Sequence, residues 1–181
     1  IKRQRAFMEK NTKLRSPLFF INPKRLSIRN LAKHVDEAAL KKLVVEATVR
    51  GLSKSLVNQD DQVAHWRATG DMTTRDLLKK LENTEQIIPE LNEKNIKESI
   101  PSVFIDRDFT SKKSELGQSR GFGFVDFTHH IHALACLREL NNNSKYSVDF
   151  VASGKKGNAK QKELVTGEAG RKAPRLIVDF T

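Results

Sequence analysis

Cysteine, tryptophan and tyrosine occur once each in this chain of 181 residues. The single cysteine, Cys136, excludes an intramolecular disulfide and suits a reducing compartment. Within a helical apolar stripe it reads as a small buried hydrophobe. A zinc site needs a set of cysteine and histidine ligands. His129, His130 and His132 span one helical turn, but no cysteine pair or second histidine pair completes them, so they are expected to face solvent at a helix start. Long apolar runs are also missing: none approaches the roughly 18 residues of a membrane-spanning helix. The basic stretches lack the broad apolar face of an interfacial helix, so no membrane partner is expected. Residues 153–156, Ser-Gly-Lys-Lys, lack the spacing of a phosphate-binding loop. No carboxylate pair has a context that would assign acid and base roles. No catalytic residue, metal, cofactor or small-molecule substrate is therefore expected, and the chain does not read as an enzyme.

Acidic residues are the other shortage. Asp and Glu number 22 against 33 Lys and Arg, for a net charge of +11. The excess is uneven: residues 1–33 hold ten basic side chains and one acid, residues 143–175 eight and three, and the stretch between is close to neutral. Basic arms flanking a near-neutral body favour a polyanion, because each phosphate neutralised releases a counterion.

Phenylalanine is abundant, with ten residues, and its placement is informative. Residues 120–127 read Arg-Gly-Phe-Gly-Phe-Val-Asp-Phe. On a strand, Arg120, Phe122, Phe124 and Asp126 point to one face, and Gly121, Gly123, Val125 and Phe127 to the other. Val125 and Phe127 suit a core. Two rings on the opposite face are costly unless something stacks on them, and unstacked bases do so for about 1–3 kcal/mol each. Upstream, residues 26–31 read Leu-Ser-Ile-Arg-Asn-Leu. Leu26 and Ile28 suit the core, with Ser27 and Arg29 on the ligand side.

The two segments resemble the ribonucleoprotein-1 and ribonucleoprotein-2 strands of an RNA-recognition motif. Ser27 departs from the pattern, which has an aromatic residue there. Its absence leaves a two-ring platform with Arg29 as a planar substitute.

The remaining elements follow in the matching order. A helix is expected from Asp36, as cap, to Thr48, with Leu40, Leu43, Val44 and Ala47 on one stripe. Residues 100–107 form a β-rich run in which Val103 and Ile105 alternate with Phe104 and Asp106; either set can face the core. A second helix covers residues 129–140 with Ala133, Leu134, Leu137 and Leu140 inward, and Asn141 to Asn143 stop it. The last strand is residues 176–180, with Leu176, Val178 and Phe180 inward and Ile177 and Asp179 outward. The order βαββαβ predicts an α+β, ferredoxin-like sandwich: four antiparallel strands backed by two helices, with the motif strands in the centre. Residues 1–24 form a basic lead-in and 25–181 the domain. A long, partly helical insertion (about 51–98) follows the first helix, and a basic, flexible one (about 144–175) precedes the last strand. In the first, residues 63–68 form a short candidate helix whose Trp66 either packs on a neighbour or stacks a base. A second helical pattern runs over 73–88, before Pro89. In the second insertion, residues 146–151 suggest a short strand. The Phe19–Phe20 pair is expected to cap the sheet edge or anchor the lead-in.

The lead-in at 13–20, the segment 25–31, the helix ending at 137–143 and the final 174–180 resemble one repeat of the nucleolar multi-motif proteins of large ribosomal subunit assembly. That resemblance implies a nucleolar RNA-binding module contacting precursor ribosomal RNA and assembly proteins during 60S formation. It also implies, with the start at Ile1, a piece of a longer protein. The expected contacts are Phe122 and Phe124 stacking on bases of single-stranded or looped RNA, Arg120, Arg29 and Ser27 beside them, and Asp126 and Asp179 as acceptors. Arg25, Lys24, Lys112 and Lys113 are expected on phosphates. The alternative is a protein-docking motif in which the basic extensions alone touch RNA.

Overall fold

Leu26 and Ile28 are fully buried and Arg25 and Arg29 at the ends partly exposed on the first strand, β1 (Arg25–Arg29). In this computed structural model, which describes residues 2–70, 76, 79, 96–110, 117–150 and 175–181, β1 joins β2 (Ser102–Asp108), β3 (Gln118–Asp126) and β4 (Ile177–Phe180). They form one antiparallel sheet in the order β2-β3-β1-β4, with the two motif strands central. Among the described residues the helices are α1 (Lys2–Leu14), α2 (Glu37–Ser53), α3 (Gln59–Thr69), α4 (His130–Leu140) and a short α5 (Ser147–Phe150) after a 3-10 turn. The predicted α+β sandwich is the observed fold. The core lies between one sheet face and helices α2 and α4, with Leu26, Ile28, Ile105, Val125 and Val178 from the strands against Leu40, Val44, Ile131 and Cys136.

Asp36 caps α2 as its sequence position predicts, its Oδ1 accepting from the Ala39 N–H at 2.7 Å. The helix runs beyond the expected Thr48 to Ser53, because Gly51 and Leu52 still face buried surface. A Cβ at Gly51 would stand 2.5 Å from the Ala135 carbonyl oxygen, so the missing side chain lets α2 and α4 approach closely. Helix α3 starts at a capping box in which Asn58 and Asp61 bond each other's backbone N–H, and it ends at Gly70 in the left-handed region. Arg138 on α4 grips Asp61 with two hydrogen bonds of 2.7 and 2.8 Å, fastening α3 alongside. Trp66 sits half-buried on that helix.

Several expectations need correction. His132 is 2% exposed, and its Nδ1 shares a hydrogen bond with Ser99 Oγ. His130 is half-buried, stacked on His65 at 4.0 Å and on Phe180 at 5.4 Å, and its Nδ1–H donates to the Pro23 carbonyl. These histidines are packing residues at a helix junction, because the connections before β1 and β2 fold over the start of α4. The lead-in is a helix over residues 2–14, whose Lys10 donates to the Phe180 carbonyl at 2.9 Å on the outer side of β4. Phe19 and Phe20 neither cap the sheet nor anchor the lead-in: they are 54% and 80% exposed. Residues 144–150 form a 3-10 turn and a helical turn instead of a strand, and the Phe150 carbonyl accepts from Ala32 N–H. The helical pattern at 73–88 lies outside the described residues apart from 76 and 79, as do Lys112, Lys113 and residues 151–174.

Candidate nucleic-acid interface

The face of the sheet away from α2 and α4 is built by the even-numbered residues of β3. Phe122 and Phe124 stand there side by side, ring centroids 5.9 Å apart and edge to face. Gly123, between them, points inward, where a Cβ would lie 2.7 Å from the Phe104 carbonyl and 3.1 Å from the Leu40 side chain. This glycine therefore serves the packing of strand and helix, leaving the approach from solvent to the rings. Gly121 adopts φ +83, and the register between β2 and β3 shifts at this end of the strand.

Charged side chains frame the rings. The Arg25 guanidinium lies 5.0 Å from the Phe124 ring centroid and that of Arg120 lies 5.8 Å from Phe122. Each arginine also has an acid: Arg25 with Asp126 at 3.5 Å, Arg120 with Asp106 at 3.0 Å, and Arg29 with Asp179 at 3.0 Å. Such half-exposed pairs stabilise by about 0–1 kcal/mol and open at little cost. The arginines can therefore swing from ring and acid to a phosphate or a base edge. Their partners keep them spread over the face.

The structure thus gathers Phe122, Phe124, Arg120, Arg29, Arg25 and Asp126 on one surface, with Asp179. Ser27 lies at its centre, opposite Phe124 on one side and Asp179 on the other, but it is only 7% exposed. Its hydroxyl donates to the Asp179 carbonyl at 3.3 Å, so it forms floor. Lys24 is exposed at the start of β1, its carbonyl accepting from Phe127 N–H. Two members of the surface escaped the sequence analysis. Phe104, 52% exposed, lies opposite Phe124 in the β2–β3 register, and Asp106 follows it on the same face. The signal was the alternation of residues 103–106, which names two sets without saying which is covered. The covering helix decided it: Ile105 packs inward at 1% exposure.

The sequence model of the RNA recognition motif family matches residues 105–147, from the middle of β2 through β3 and α4. Strand order, motif strand and match agree. The fold is like that of an RNA-recognition motif. The chain is also similar to the human RNA-binding protein 28, with 27% identity over 143 residues. That alignment takes in 78% of this chain and 13% of the relative, so the chain spans a small part of that protein's length. Both likenesses are to RNA-binding proteins.

Proposed function

We propose that the open face of the sheet binds single-stranded or looped RNA, with Phe122 and Phe124 each stacking on one base. The observation that carries this is the pair of partly exposed rings, side by side on the strand that the family match contains. Arg25, Arg29 and Arg120 exchange their carboxylate partners for phosphates or base edges, and Asp126 and Asp179 accept from bases. Lys24, Lys112, Lys113 and the basic lead-in follow the backbone. An RNA duplex buries its base edges in a groove too deep for side chains, so unpaired bases are the target. Two rings and few polar readers give modest sequence preference. We further propose that the RNA is precursor ribosomal RNA, bound in the nucleolus beside ribosome-assembly proteins as the 60S particle forms. The likeness to the nucleolar multi-motif proteins supports that setting.

Phe122→Ala plus Phe124→Ala is expected to weaken binding to single-stranded RNA by about tenfold or more at unchanged thermal stability. Undiminished affinity sinks the stacking. One observation favours a second reading, a protein-docking sheet with RNA held by the extensions: the three arginines on the face are already paired with acids. In that case deleting residues 1–24 removes most of the RNA affinity and the double phenylalanine change leaves it intact. Crosslinking in cells tests the setting, with crosslinks expected on precursor ribosomal RNA; recovery of other RNA classes alone removes that assignment.

A further inference from the structure

The platform is lopsided. In the antiparallel sheet, Phe124 faces Ser27 across to β1 and Phe104 across to β2. Ser27 is short, buried and bonded to the Asp179 carbonyl, and beyond it on the face the Arg29–Asp179 pair bridges β1 and β4. On the other flank Phe104 presents a ring that is 52% exposed. Directly opposed residues of such a pair have Cβ atoms about 4.5–5.5 Å apart, so Phe104 stands immediately beside Phe124. The next outward residue of β2, Asp106, holds Arg120 at 3.0 Å, and that guanidinium lies over Phe122. Phe104, Phe122 and Phe124 therefore share one outward face over β2 and β3, edged by a cation, while the β1 position beside it offers no ring.

We propose that Phe104 is a third base-stacking subsite, so that the bound strand crosses from β3 toward β2 rather than toward β1. Its ligand is an unstacked nucleobase of any identity, because every base has a π-face and the contact needs no hydrogen-bond pattern. Arg120 lies at the junction of the Phe104 and Phe122 positions, where it can leave Asp106 for the phosphate linking two stacked bases. The subsite rests on the proposed RNA-binding role of the sheet and adds to it a direction and a third nucleotide.

The test is anisotropy of the full chain with a fluorescein-labelled, random-sequence RNA decamer. F104A and F104L are each expected to weaken binding about fivefold or more, and F104Y to stay within about twofold of wild type. Leucine keeps the apolar bulk and loses the ring face, so an F104L variant that binds like wild type overturns the stacking. Unchanged affinity in F104A, beside a loss in the Phe122→Ala plus Phe124→Ala variant, overturns the third subsite and leaves the sheet as the RNA surface. Unchanged affinity in both removes the sheet reading and the subsite with it. If F104A fails to fold, a 5-iodouridine-substituted decamer crosslinked to the wild-type chain decides. A crosslink on Phe104 supports the subsite, and crosslinks on Phe122 or Phe124 with none on Phe104 overturn it.

Discussion

Gly123 and Gly51 carry no side chain, yet each fixes how closely two elements meet. At Gly123 an added Cβ collides with backbone of the neighbouring strand, which cannot rotate away; at Gly51 it collides with the backbone of α4. Overpacking of this kind costs typically about 1–3 kcal/mol. Gly123→Ala and Gly51→Ala are both expected to lower the unfolding midpoint in urea by a corresponding amount. Gly123→Ala should also disturb RNA binding, because the shift passes to the Phe104 backbone. A Gly123→Ala protein with wild-type stability would show that the strand has room to spare. Cys136 belongs to the same scale: burial pushes its thiol up to about 12, so it should resist alkylation in the folded state and react on unfolding. Rapid labelling of the native protein would contradict that.

At the scale of elements, the caps and clasps determine where helices start and what they hold. Asp36 accepts the Ala39 N–H, and Asp36→Ala should cost about 1 kcal/mol in chemical denaturation. Asp61 does two jobs, closing the capping box of α3 and receiving Arg138 from α4. Hydrogen bonding from Arg138 holds its carboxyl below the ordinary carboxylate range, and Arg107 does the same for Glu37. For Glu139 burial pushes upward, but hydrogen bonds from Lys54 and Tyr146 outweigh it and the net direction is down. These pairings explain why a carboxylate tolerates a side chain only 2% exposed between α2 and α4.

For the whole molecule, pH and salt report on different parts. Burial lowers the His130 pKa, so the folded state prefers a neutral imidazole. The unfolded chain takes up that proton as pH falls below about 6.5, and folded stability declines from there. Asp61, Glu37 and Glu139 are depressed acids, whose contribution is full above about pH 4.5 and is lost as pH falls further. Stability in urea should therefore hold between pH 8 and 7, then fall in two stages, and His130→Gln should reduce the upper one. A single fall confined below pH 4.5 would show that His130 does not contribute. Salt addresses RNA. The charge excess lies in residues 1–33 and 143–175, whereas the sheet arginines are paired. Removing residues 1–14 should flatten the dependence of log affinity on log salt, while the Phe122 and Phe124 changes should lower affinity at every salt with the slope kept. Equal slopes for the truncated and full chains would take the lead-in out of RNA contact.

The sequence by itself determined what local periodicity can encode. Alternation in residues 26–29 and 120–127 makes two strands with one apolar face each, and helical spacing at Leu40, Leu43, Val44 and Ala47 makes their cover. Those patterns need one another to bury their faces, which is why the sandwich and its central pair were legible, with Phe122 and Phe124 outward. The tertiary structure decided what depends on a neighbour distant in the chain. Phe104 faces out because Ile105 meets helix α2, and His132 is buried because Ser99 closes over it. Ser27 is covered by its position between two strands, and the arginines are paired because acids on adjacent strands arrive in register. Periodicity fixes which residues share a face, but only packing fixes which face is covered.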